Sequence, residues 1–88
     1  MASFKVILKP SIEKDLRSLP KPTVLRVVNQ IEKLGEDPFP PKTLKLEGAK
    51  NLYRIRLGDY RLVYEVDRGA KQVIIHHVRH RRDVYRKL

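Results

Sequence analysis

Cysteine and tryptophan are both missing from this 88-residue chain, and methionine occurs once. Without cysteine there are no disulfides, no thiolate metal ligands and no cysteine nucleophile. No window holds the run of about 18 apolar residues that a membrane span requires. The opening MASFKVILKP meets charge too soon to read as a secretion signal, so a cytoplasmic protein with no membrane partner is expected. The glycines, at 35, 48, 58 and 69, stand alone, so no glycine-rich phosphate loop is present. Ser3, Ser11 and Ser18 fit no Ser/His/Asp arrangement. Acid is scarce: ten Asp and Glu face twenty Lys and Arg, a net charge of +10. That excess points to a polyanion or an acidic protein partner without naming either.

The length allows one small domain, residues 1–88, with a thin core. Phe4, Val6 and Leu8 alternate with Lys5, Ile7 and Lys9, the pattern of a strand. Pro10-Ser11 ends it, with Ser11 placed to cap a short helix carrying Ile12, Leu16 and Leu19 on one stripe. Pro20 stops that helix and Pro22 suits the first turn of the next. There Val24, Val27, Val28, Ile31 and Leu34 recur at helical spacing, and Gly35 is the expected stop. The Pro-rich EDPFPPK is a loop, and Leu44 and Leu46 fit a short strand. Residues 72–78, rich in Val and Ile, form a further strand, and Asp83 to Leu88 a short helical tail. The expected class is α+β: a strand, a helical hairpin, then a three- to four-stranded antiparallel sheet covered by the helices on one face.

The middle of the chain, NLYRIRLGDYRLVYEVD, reads as a β-hairpin turning at Gly58-Asp59. A two-residue turn pairs Leu57 with Tyr60 and Arg56 with Arg61. Tyr53, Ile55, Leu57, Tyr60, Leu62, Tyr64 and Val66 then form the core face, and Arg54, Arg56 and Arg61 project from the other. Like charges side by side on a sheet are destabilising, so folding alone does not call for them. A solvated outer face accounts for any single arginine; three together suit phosphate, which Arg grips through paired donors at any working pH.

Towards the C-terminus His77, Arg79, His80, Arg81, Arg82 and Tyr85 complete a cluster suited to a phosphodiester. Cleaving RNA through its own 2′-hydroxyl requires removal of that proton, neutralisation of the phosphate and a proton for the leaving 5′-oxygen. Arg serves the second need and His the first or third. Because the nucleophile belongs to the substrate, neither a metal nor a cofactor is expected. His76 and His77, adjacent on a strand, are expected on opposite faces and so do not chelate one ion. His76 reads as a packing or surface residue.

The segments LKLEG, YRIRLGDYRLVYEV and VRHRRDVYR, with the helix pair before them, resemble the RelE side of the RelE/ParE superfamily of toxins from type II toxin–antitoxin systems. The resemblance spans nearly the whole chain. It implies a small ribonuclease fold that cuts mRNA in the ribosomal A site and a cognate antitoxin whose acidic or amphipathic segment wraps the toxin. By position, the family's basic hairpin residues fall on Arg54 and Arg56, its phosphate-binding arginines on Arg61 and Arg81, its C-terminal tyrosine on Tyr85, and a basic position on His80. The catalytic set expected is Arg56, Arg61, His80, Arg81 and Tyr85, and the RNA-binding set is Arg54 from the resemblance with His77, Arg79 and Arg82 from the C-terminal cluster. The family pattern has Lys where Arg54 and Arg56 stand. Arginine does not give up its proton, so a base has to come from elsewhere, His80 first and His77 second. A ParE-like gyrase poison and a non-catalytic basic RNA- or ribosome-binding module are the competing readings.

Overall fold

The computed structural model describes residues 3–82. The elements run β1 (Lys5–Leu8), α1 (Pro10–Arg17), α2 (Lys21–Glu36), β2 (Thr43–Lys45), β3 (Leu52–Leu57), β4 (Tyr60–Asp67) and β5 (Gln72–His80). The predicted helical tail and Tyr85 lie outside the described residues. The five strands form one mixed sheet in the order β1-β5-β4-β3-β2. The antiparallel run β2-β3-β4-β5 is the expected meander. The addition is β1, which pairs parallel to β5, from Lys5 opposite Gln72 to Leu8 opposite Ile75. Parallel pairing requires a crossover, and α1 with α2 supplies the first part of it.

Both helices cover one face. Ile12 of α1 and Val27, Ile31 and Leu34 of α2 pack against Ile55, Leu62, Tyr64, Val66, Val73, Ile75 and Val78. Burying each aliphatic side chain of this size contributes about 1.5–3 kcal/mol. Tyr64 is the largest fully buried residue. Its hydroxyl donates to Pro38 O at 2.8 Å and lies 3.1 Å from Thr43 Oγ1, which ties the Pro-rich loop to the sheet.

Two local expectations change. Ser11 is not the cap of α1: Pro10 occupies the first turn after Lys9, and Ser11 Oγ instead donates to His76 O at 2.6 Å, docking the helix on β5. Gly35 does not end α2; it lies inside the last turn and is buried. A Cβ there would come within 3.1 Å of Val6, and Gly35 O accepts from Phe4 N–H, so this glycine lets α2 close on β1. Among the described residues no helix is long and apolar enough to cross a membrane.

Candidate nucleic-acid interface

The hairpin has the expected register. Leu57 pairs with Tyr60, Arg56 with Arg61 and Arg54 with Val63. Gly58 adopts φ +63°, which suits a turn whose first central residue is left-handed. Cross-strand partners share a face. Arg54, Arg56 and Arg61 therefore stand together on the side the helices leave uncovered.

A β-bulge decides what β5 adds to that side. Val63 pairs with His77 but Tyr64 pairs with Ile75, leaving His76 as the extra residue. An extra residue shifts the inside–outside alternation by one. Val73 and Ile75 face the core before the bulge, and Val78 faces it afterwards. Without the bulge, His77 and Arg79 would point into the helices. With it, His77 shares a row with Val63 and Arg54, and Arg79 shares one with Arg61 and Arg56. The adjacent histidines also escape the expected split: His76 Nε2 lies 3.2 Å from Glu65 Oε1, and the two imidazoles are 6.2 Å apart. His76 thus has a carboxylate partner on β4, in keeping with a structural residue.

The three-arginine row is held unusually. Arg61 is only 8% exposed. Its Nη1 donates to Gly58 O at 3.1 Å and Tyr60 O at 3.0 Å, and Arg56 Nε donates to the same Gly58 carbonyl at 3.2 Å. Among the described residues no carboxylate lies within 4 Å of Arg61 or Arg56. A buried cation normally has an anionic partner. Here backbone carbonyls fix the guanidinium, and no carboxylate among the described residues offsets its charge within 4 Å. Arg26 of α2 reaches the same turn, with a guanidinium nitrogen 3.2 Å from where a Gly58 Cβ would sit. Sequence reading missed Arg26, since no local pattern marks which face of a helix meets a distant turn.

The end of β5 divides the remaining candidates. His80 pairs with Tyr60, so it lies on the helix side of the strand, with the rings 5.6 Å apart and edge to face. It is not in the row with Arg61. Its Nδ1 accepts from the Arg82 backbone N–H at 3.3 Å, which places the proton of the neutral ring on Nε2. Arg81 is exposed, and its backbone N–H bonds Asp59 O at 2.7 Å, so it starts beside the hairpin turn that Arg56 and Arg61 grip. Arg82 is exposed as well. A cleft of about 490 Å³ opens at this corner, with Asp15, Tyr60, Arg79 and His80 on its walls.

Asp15 of α1 meets β5 just past the end of β1. Its Oδ2 accepts from Val78 N–H at 3.1 Å, and lies 3.8 Å from His77 Nδ1 and 3.9 Å from Arg79 Nε. Arg79 Nη2 lies 3.4 Å from the same His77 Nδ1. Burial, then the Arg79 charge, hold the His77 pKa below its ordinary value against the opposing pull of Asp15.

A family model described as the ParE toxin of type II toxin–antitoxin systems matches residues 6–85. The fold is similar to the crystallised archaeal RelE–RelB complex of Pyrococcus horikoshii, with a TM-score of 0.80 and 34% identity over 90% of this chain and 96% of that one. It is similar to the RelB–RelE antitoxin–toxin complex of Methanococcus jannaschii, with a TM-score of 0.78 and 27% identity over 93% and 98%. It is also similar to the RelBE2 toxin–antitoxin complex of Mycobacterium tuberculosis, with a TM-score of 0.78 and 26% identity over 89% and 98%. Family match, fold and basic face agree, and the chain belongs to the RelE/ParE superfamily of toxins from type II toxin–antitoxin systems.

Proposed function

We propose that the protein is an antitoxin-controlled endoribonuclease that cleaves mRNA in the ribosomal A site by promoting attack of the 2′-hydroxyl on the adjacent phosphate. The observation that carries this reading is Arg61, buried, clamped by two carbonyls and given no carboxylate within 4 Å among the described residues. A preorganised guanidinium with no described carboxylate beside it stabilises the charge that gathers on a phosphorane. Arg56 and Arg81 flank it, and Arg54, His77, Arg79 and Arg82 extend the binding face. Arg56 keeps its charge throughout and acts as a phosphate ligand, not as a base. His80, when protonated to the imidazolium, supplies a proton to the departing 5′-oxygen from the strand end. Tyr85 stacks on a base or donates a proton.

The RelE-like relatives were crystallised with RelB, and an open basic face of this kind fits an acidic antitoxin segment. Binding there would weaken as salt rises. The cytoplasm follows from the substrate.

Purified protein added to translating ribosomes is expected to cut the A-site codon, leaving a 2′,3′-cyclic phosphate and a 5′-hydroxyl. Intact mRNA would reject the reading. The description of the matched family as ParE toxins supports a second reading, gyrase poisoning. It predicts gyrase-dependent DNA breaks in cells whose mRNA stays whole.

A further inference from the structure

We propose that Arg79, His77 and Asp15 form a proton relay that RNA itself switches on: a bound phosphodiester draws Arg79 away from His77 Nδ1, and Asp15 then holds Nδ1–H so that Nε2 accepts the 2′-hydroxyl proton. The proposal rests on the nuclease reading and supplies what the arginine row lacks, a group that removes a proton.

His77 Nδ1 is one nitrogen with two suitors. Arg79 Nη2, at 3.4 Å, only donates. While it does so, Nδ1 offers its lone pair, the proton of the neutral ring sits on Nε2, and the ring is no base at that atom. Asp15 Oδ2, at 3.8 Å, only accepts. It can hold Nδ1–H and leave Nε2 free. The two states exclude each other, and Arg79 decides between them. Arg79 pairs with Arg61 across the strands, on the face where phosphate is held. A phosphodiester there offers the guanidinium paired charge-assisted bonds, stronger than its loose contacts with the imidazole at 3.4 Å and with Asp15 Oδ2 at 3.9 Å.

Charge works in the same direction. The groups facing His77 are Asp15 on α1, Arg79 and His76 on β5, and Lys9 at the end of β1, with Glu65 of β4 behind His76. Of these, Arg79 is the cation that touches His77. Its departure to an anion removes a repulsive charge and leaves Asp15 dominant, so the imidazole becomes more basic when substrate arrives. Asp15 is itself held by Val78 N–H and does not need to move far.

In the step, the 2′-oxygen gives its proton to His77 Nε2 and its electron pair to phosphorus. The P–O5′ bond breaks with its pair on the 5′-oxygen, which takes a proton from the His80 imidazolium and leaves that ring neutral. His77 returns its proton to solvent, and solvent reprotonates His80. His77 is thus a catalytic residue, and Asp15 a positioning residue that acts through it.

Two measurements test the relay. Nitrogen-detected NMR of the full-length protein reads the His77 tautomer, free and with a short RNA whose 2′-hydroxyls are replaced by hydrogen. Nε2–H in the free protein and Nδ1–H in the complex are expected. Nδ1–H in both, or Nε2–H in both, would overturn the relay. Asp15→Asn keeps an oxygen for Val78 N–H, so the fold should persist. Cleavage on ribosomes should drop at least about tenfold and its acid limb should move to lower pH, while His77→Ala should lose about 10²–10⁴-fold. A purely structural Asp15 would leave the limb where it is. Wild-type protein that leaves mRNA intact rejects the nuclease reading and the relay with it. Wild-type protein that cuts, beside an Asp15→Asn protein with an unchanged rate and pH profile, rejects the relay alone.

Discussion

Tyr64 and Arg61 lie three residues apart on one strand, and both are buried. On the helix side, the Tyr64 hydroxyl finds Pro38 O and Thr43 Oγ1, and burial pushes its pKa up so that it stays neutral. Everything it has to offer is used within the fold. On the opposite side, the Arg61 guanidinium is oriented by Gly58 O and Tyr60 O, neutral groups that position a charge without cancelling it. A buried polar group fully satisfied from inside serves stability. A buried charge that is positioned but unbalanced is held ready for something from outside.

The contrast is sharpest if the two residues fail differently. Tyr64→Ala should cost about 3–5 kcal/mol, the range for emptying an aromatic site, seen as a fall in the urea midpoint with no change in cleavage per folded molecule. Arg61→Met keeps the buried stem and should leave the midpoint near wild type while cleavage falls about 10²–10³-fold. If Arg61→Met unfolds the protein and Tyr64→Ala spares it, the contrast is wrong. Gly58→Ala tests the support between them. An L-residue at φ +63° costs about 1–2 kcal/mol and presses on Arg26. Because Gly58 O holds both Arg56 and Arg61, cleavage should fall further than that stability loss alone predicts.

The smallest effect is on pH. The folded His77 pKa lies below 6.5, mainly through burial. The unfolded chain then takes up the proton more readily, so this contribution to stability is present above about pH 6.5 and is lost as pH falls through the folded value. Thermal melts between pH 7 and 5 should show a shallower loss for His77→Asn than for wild type.

The hairpin, the helix pair and the arginine face could be read from residue patterns, because alternation and 3.6-residue spacing are local signals. The bulge at His76 could not be read in the same way. VIIHHV carries a phase break, with Val73, Ile75 and Val78 in the core, but which strand absorbs the extra residue depends on β4. That one insertion decided the site: it sent His77 and Arg79 to the arginine side and left His80 beside Tyr60. The parallel pairing of β1 was hidden for another reason, since nothing in a four-residue strand names a partner 67 positions away. Gly35 showed that a glycine at a helix end can serve closeness and not termination. Residues 72–80 form the strand beside the hairpin, a little longer than the 72–78 expected, and so carry His77 and Arg79 to the arginine side.

That distant pairing bears on how the protein is made. β5 receives β1 on one edge and β4 on the other, so the strand completed last joins the first strand to the rest of the sheet. A chain still emerging from the ribosome can form the helical hairpin, but not the row of Arg56, Arg61 and Arg79, until residues near 80 have left the exit tunnel. Non-local strand pairing of this kind is slow compared with local structure. The arginine face therefore exists only once β5 has been made and has joined the sheet.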